Sequence, residues 1–311
     1  MPLILPPALP AVQILQDENI FIMPQSRAAS QDIRPLEILV VNLMPDKIET
    51  ETQLARMLAN SPLQVKLTLL RTGTHTATHT STAHMAAFYK TLDEVQRSRF
   101  DGMIVTGAPI EHLPYEEVDY WEELKSLFAF SRQNVYSTIY LCWGALAGLY
   151  YHYGIPKTML PQKLSGVFSH RVTRPDNPLV RGFDEHFYAP HSRNAGVLKQ
   201  EVEKHPGLRI LAESEEAGLH MLSTKAGREI YILGHMEYDK ETLKNEYNRD
   251  LARGLAPSVP KNYFENDDPN APILYRWRSH AHLLFSNWLN YYVYQSTPFD
   301  LNTLAPETPE K

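Results

Sequence analysis

Only one of the 311 residues is a cysteine, so the chain can close no internal disulfide, which suits a reducing cytoplasm. Long apolar runs are missing too: no uninterrupted stretch approaches the roughly 20 residues that a membrane span needs. The opening MPLILPPALPAVQIL is apolar, but prolines interrupt it and no basic stretch precedes it, so no signal peptide is expected. Positive charge is in short supply. Lys and Arg number 30 against 36 Asp and Glu, a net charge of −6, and no broad basic surface is available for nucleic acid or an anionic membrane. No Gly-rich phosphate loop occurs among the 14 glycines, which leaves a nucleotide cofactor without support. What is present is ordinary globular material, 43% hydrophobic and 21% charged, enough for one large or two small domains.

Residues 1–35 read as an irregular N-terminal arm, with five prolines in the first 24 positions. From residue 36, buried-type strands alternate with helical patterns. LEILVVNL (36–43) precedes KIETETQLARMLANS, and LQVKLTLL (63–70) leads through a Thr/His-rich loop to a helix over 84–97. DGMIVTG (101–107) precedes YEEVDYWEELKSLFAFSR, and VYSTIYLC (135–142) runs into WGALAGLYYHYG. This alternation predicts βαβ units and a mostly parallel sheet with helices on both faces. Beyond 155 the pattern loosens into short strands at 163–173, 208–213 and 218–223. EIYILGH (229–235) returns to the buried type, and two helical patterns follow. No linker divides the chain, so 36–301 reads as one α/β domain and 302–311 as a flexible tail.

In open parallel sheets, active sites gather beyond the carboxyl ends of the strands. Cys142 lies at such an end and opens a helix, whose free first-turn N–H groups favour a thiolate. Gly144 would allow close backbone approach, so the Trp143 N–H could face an oxyanion. The same stretch also suits a small buried hydrophobe, the commoner fate of a free cysteine. A thiolate nucleophile needs a base and the base an orienting acid. His235 and Glu237, in YILGHMEYD, supply both at another strand end. Their spacing of two places both side chains on one face of extended chain. Half a metal site is the competing reading, but no third ligand stands nearby in sequence.

Cys at a strand-to-helix elbow with His-x-Glu about ninety residues on resembles the class I glutamine amidotransferase architecture. The chain is more closely similar to the homoserine O-acyltransferases that share it. The resemblance rests on NLMPDKIETETQ (42–53), VTGAP (105–109), LCWGALAGLYYHYGIPK (141–157), KLSGVF (163–168), RGFD (181–184), APHSR (189–193), GHMEYD (234–239), NYF with NDDP (262–269) and WRSHAHLLFSNWLNYYVYQSTPFDL (277–301). Amidotransferases carry Gly-x-Cys-x-Gly-x-Gln; here Tyr140 replaces the first Gly and Leu146 the Gln, which weakens a glutaminase reading.

The resemblance implies a flavodoxin-like domain and a Cys142–His235–Glu237 triad. That triad would pass acetyl from acetyl-CoA, a co-substrate rather than a bound cofactor, through Cys142 to the hydroxyl of L-homoserine. It further implies a cytoplasmic homodimer in methionine synthesis, substrate contacts at Lys163, Ser192 and Arg249, and an acyl-donor determinant at Glu111. Glutamate at that position accompanies acetyl transfer and glycine succinyl transfer, so succinyl-CoA is the alternative donor. Lys47 is expected near the CoA or oxyanion region. Glu246 and Arg249, three apart on one helix, could grip the ammonium and carboxylate of homoserine. His75, His79 and His84 are read as loop residues, not zinc ligands. The aromatic run NWLNYYVYQ is read as helix packing or a subunit contact.

Overall fold

Apolar runs that show no polar–apolar alternation become strands covered on both faces, and they set up the whole sheet. This computed structural model describes residues 3–74 and 80–306. The chain opens with β1 (Leu3–Ile4), α1 (Pro10–Asp17) and α2 (Gln25–Ala29). It continues through β2 (Leu36–Val41), α3 (Lys47–Ala59), β3 (Val65–Leu70), α4 (Thr82–Phe88), β4 (Tyr89–Lys90) and α5 (Leu92–Val95). Then come β5 (Phe100–Val105), α6 (Trp121–Asn134), β6 (Val135–Leu141) and α7 (Trp143–Tyr153). The second half holds β7 (Thr158–Val172), β8 (His186–Gly196), α8 (Lys199–Val202), β9 (Leu208–Ser214), β10 (Gly218–Thr224), β11 (Glu229–Ile232), α9 (Thr242–Ala252) and α10 (Arg278–Asn287).

These strands form one sheet in the order β1-β3-β2-β5-β6-β11-β10-β9-β7-β8, with β4 also on β3. The run β3-β2-β5-β6-β11 is parallel and has the flavodoxin-like order. From β11 onward every pairing is antiparallel. Alternate residues feed two cores. Ile38, Val40, Ile104, Ile139 and Ile232 face one core, into which α1, α3 and α10 also pack. Leu39, Val41, Met103, Val105 and Tyr231 face the other, packed by α6 and α7.

Three expectations are corrected. The first 35 residues are not irregular: β1 pairs in parallel with β3, and Leu3, Leu9 and Leu15 are buried in the core. The helix expected over 84–97 is broken by β4, because Tyr89 and Lys90 pair in parallel with β3. Part of the tail is docked: Leu304 is buried and its carbonyl accepts from Arg99 at 2.7 Å, while 307–311 lie outside the described residues. The run WLNYYVY forms a wider, π-type helical turn over Trp288–Tyr294. Trp288 packs against Gly102 so closely that a methyl there would come within 2.7 Å of the indole. Strand β8 was not anticipated, since its polar residues break any apolar pattern.

Candidate active site

β6 ends at Leu141, and the next residue turns the chain sharply into α7. Cys142 holds φ 48° and ψ −115°, a conformation that costs a non-glycine residue on the order of 1–3 kcal/mol. The surrounding backbone holds it there. The Cys142 N–H donates to the Ile232 carbonyl at 2.7 Å, and its own carbonyl accepts from the Ala145 and Leu146 N–H groups. Gly144 lets α7 begin against the end of β5, where a methyl would sit 2.5 Å from the Thr106 carbonyl oxygen. The result is a strand–elbow–helix in which first-turn N–H groups border the sulfur.

β11 lies beside β6, so its carboxyl end delivers His235 to the same place. The Cys142 sulfur and the imidazole act on each other electrostatically. His235 Nδ1 lies 2.7 Å from Glu237 Oε1, but not through extended chain: β11 ends at Ile232, and the two residues meet in a turn closed by the Tyr238 N–H to the His235 carbonyl. Gly107 caps the pair: a methyl there would meet Cys142 Cβ at 3.2 Å and His235 Cε1 at 3.6 Å. Burial alone would lower the imidazole pKa, but the Cys142 sulfur and the Glu237 carboxylate outweigh it and hold the pKa well above its ordinary value. The arrangement can keep a proton on His235 next to a nucleophilic sulfur.

Glu111 is buried, not turned to solvent. Its carboxylate lies within electrostatic reach of two cations. Lys157 donates to the Leu113 carbonyl of the same loop, and its Nζ lies 4.4 Å above the Tyr115 ring. Arg193 is 3% exposed and is pulled down to about 10 by burial, against the opposing pull of Cys142 first and Glu111 second. Glu111 and Cys142 therefore both act electrostatically on one guanidinium, whose own N–H groups go to His191 and to the carbonyls of Ala195 and Ala217.

The three expected substrate contacts come together on the other side of His235. Lys163 Nζ is 3.2 Å from Asp250 and 3.6 Å from Glu246. Ser192 donates to the second carboxylate oxygen of Glu246. Arg249 does not pair with Glu246 as the helix spacing allows; its guanidinium binds Asp250 at 2.8 Å instead, with half its side chain exposed. A cavity of about 270 Å³ adjoins, lined by Gln162, Lys163, Tyr247, Asp250 and Ser258.

Lys47 is not a solvated helix-start lysine. Its ammonium donates to the Asn42 carbonyl at 2.6 Å, and burial pushes its pKa down to about 8 against the pull of Glu51. His84 sits at the start of α4 with Nε2 2.9 Å from Glu51, whereas His75 and His79 lie outside the described residues.

Arg193, Tyr238 and Asp250 have no signal in the sequence beyond standing beside the motif residues Ser192, Glu237 and Arg249. One further cluster carries no signal in the sequence. Ring nitrogens of His170, His191 and His220 lie within 4.8 Å of one another. Arg193 Nε–H donates to His191 Nδ1 at 3.1 Å, which assigns the remaining proton of a neutral His191 to Nε2. That N–H then donates to His170 Nε2 at 3.0 Å, while both ring nitrogens of His220 are buried with no hydrogen-bond partner among the described residues. Burial keeps all three imidazoles below their ordinary pKa, His170 at about 3.

A family model described as homoserine O-succinyltransferase matches residues 2–299. The chain is 55% identical over 304 residues to a homoserine O-acetyltransferase of Acetivibrio thermocellus, covering 98% of this chain and 100% of that protein. It is 57% identical over 300 residues to the homoserine O-acetyltransferase of Clostridium novyi, covering 96% and 99%. Among solved structures, a glutamine amidotransferase of Thermotoga maritima superposes with a TM-score of 0.54 at 10% identity, covering 82% of this chain and 97% of that one. Another, from Methylobacillus flagellatus, gives 0.51 at 11% identity, covering 83% and 95%. These two establish a shared fold, the class I glutamine amidotransferase-like one.

Proposed function

This chain belongs to the homoserine O-succinyltransferase family, and from that premise we propose that it is a homoserine O-acetyltransferase working through an acyl-thioester on Cys142. The observation that carries the mechanism is the strained Cys142 beside His235, whose ring Glu237 holds at Nδ1. In the first half-reaction the Cys142 sulfur attacks the thioester carbonyl of acetyl-CoA. The carbon–sulfur bond to CoA breaks, and the departing thiolate takes the proton from His235. In the second, His235 removes the hydroxyl proton of homoserine, the oxygen attacks the acyl group on Cys142, and the cysteine sulfur leaves. First-turn N–H groups of α7 would steady the oxyanion in both steps.

Acetyl rather than succinyl is supported by the names of the relatives and by Glu111, buried within reach of the same guanidinium as Cys142. A second carboxylate brought there would face it at close range in a dry pocket. Lys163, Ser192 and Arg249 would contact homoserine. The reaction needs no bound cofactor, and the enzyme would act as a cytoplasmic homodimer in methionine synthesis. The decisive assay measures CoA release from acetyl- and succinyl-CoA with and without homoserine, followed by intact-mass analysis. One acetyl mass on the peptide carrying Cys142, absent from Cys142→Ser, is expected. Transfer without that adduct would sink the ping-pong route, and ammonia released from glutamine in place of CoA would sink the acyltransferase reading.

A further inference from the structure

Between the base and the expected homoserine contacts lies one side chain that the mechanism above leaves unused. Tyr238 is 4% exposed, and its ring stacks on His235 with centroids 4.1 Å apart and planes 17° from parallel. Its hydroxyl donates to Glu246 Oε1 at 2.8 Å, while Ser192 donates to Oε2. The backbone of the turn is pinned as well. The Tyr238 N–H reaches the His235 carbonyl at 3.3 Å, and Trp277 Nε1 donates to the Tyr238 carbonyl at 2.8 Å. The phenol is kept neutral because burial, and then Glu246 and Glu237, raise its pKa well above 10.

We infer that Tyr238 is a positioning residue that ties His235 to an ammonium subsite at Glu246, so that the enzyme selects alcohols bearing a neighbouring ammonium. The inference rests on the acyl-transfer reading above and on the ammonium contact already expected at Glu246, and adds the residue that holds that contact in register with His235. Glu246 receives two neutral hydroxyl donors, and its Oε2 also faces the Lys163 ammonium at 3.6 Å, so a ligand ammonium would share or take that place. Its side chain keeps 16% exposure, enough for one face to meet a cation. Beyond it, charges alternate: Glu246, Lys163, Asp250, Arg249, joined by contacts of 3.6, 3.2 and 2.8 Å. A zwitterion fits such a row, with its ammonium at Glu246 and its carboxylate at Lys163 or Arg249. Without substrate the row satisfies itself. Tyr238 fixes how far the negative end of that row stands from the imidazole that must take the hydroxyl proton. An alcohol lacking the ammonium would leave Glu246 without its ligand and the hydroxyl without a register.

Tyr238→Phe keeps the stack and the volume and removes only the donor. A hydrogen bond to a charged group corresponds to about a 10- to 100-fold effect. Accordingly kcat/KM for homoserine should fall about tenfold or more, mostly through KM, while CoA release in the absence of homoserine falls far less. Glu246→Gln should act in the same way, and the double variant should be little worse than Glu246→Gln alone, because both remove one interaction. A Tyr238→Phe protein with wild-type kcat/KM for homoserine, equal slowing of both half-reactions, or full additivity in the double variant would each overturn the inference. Calorimetric binding separates this inference from the chemistry it rests on. Homoserine should bind Tyr238→Phe about tenfold more weakly than wild type, with 4-hydroxybutanoate, which lacks the ammonium, affected less. Equal loss for both ligands, or no loss, overturns the subsite. Weakened homoserine binding in a protein that never releases CoA overturns the transfer reaction alone.

Discussion

Glu111 is the single side chain expected to choose the acyl donor. It is buried, and the two cations that feel it, Lys157 and Arg193, belong to different elements, so its charge is matched by the pocket and not by its own loop. Replacing it by glycine removes the bulk and the charge but leaves both cations, which a donor with a terminal carboxylate can then satisfy. Glu111→Gly is therefore expected to move the ratio of kcat/KM values toward succinyl-CoA by about tenfold or more, as for gaining one charge-assisted contact. Measuring both donors on both proteins checks it; an unchanged ratio would remove Glu111 from the acyl pocket. Cys142, His235 and Glu237 were legible at this scale because each carries its signal locally, at a strand end or at a spacing of two. Arg193 and Tyr238 were not. A buried guanidinium reads as a surface residue until the fold brings it the His191 ring and the carbonyls of Ala195 and Ala217.

Helix α3 begins normally, with Asp46 accepting from the Glu49 N–H at its start, yet its first residue points inward. Lys47 joins a buried chain in which Asn42 donates to Tyr89, and Tyr89 donates to Glu51 at 2.5 Å. The chain explains why β4 interrupts the helix expected over 84–97: pairing with β3 places Tyr89 at Glu51 and Asn42. With a folded pKa of about 8 and an ordinary value of 10.5, Lys47 binds its proton more weakly in the folded state. Between those values the unfolded chain holds more protons, so stability rises with pH there. Relative to Lys47→Met, the wild type should gain up to about 3 kcal/mol as pH climbs from 8 to 10.5, and little below 8. Urea unfolding at several pH values checks it, and a difference that stays flat with pH would mean that the ammonium is not desolvated. The parallel strands were legible because burial on both faces makes each a continuous apolar run. β8 was not, since the buried His191 and Arg193 and the half-buried Ser192 at its centre interrupt any continuous apolar run.

Across the whole molecule, the parallel half carries Cys142, and the antiparallel strands β7 and β8, together with α9, carry the residues expected to hold homoserine. The site lies where the two halves meet, at the ends of β6 and β11. The N-terminal segment belongs to this structure, although its prolines make it read as an arm. Proline marks where a chain turns, and says nothing about whether the leucines between the turns are buried. Leu9 and Leu15 enter the core with α3 and α10. Glu18 also binds Arg56 of α3 at 2.6 Å, and Arg56 in turn binds Asp239, two residues beyond Glu237. The segment is thus both a wall of the core and a distant brace for the turn that carries the base. Leu15 is 0% exposed, so Leu15→Ala should leave a cavity and cost about 2–5 kcal/mol. Because the ion pairs and the triad are untouched, kcat/KM of the folded protein should stay within about twofold of wild type, consistent with independent distant sites. Urea denaturation with parallel kinetics tests both halves of this expectation. A cost below about 0.5 kcal/mol, typical of exposed positions, would return the segment to the status of an arm. A loss of turnover in protein that remains folded would mean that the brace acts on the base through Arg56 and Asp239.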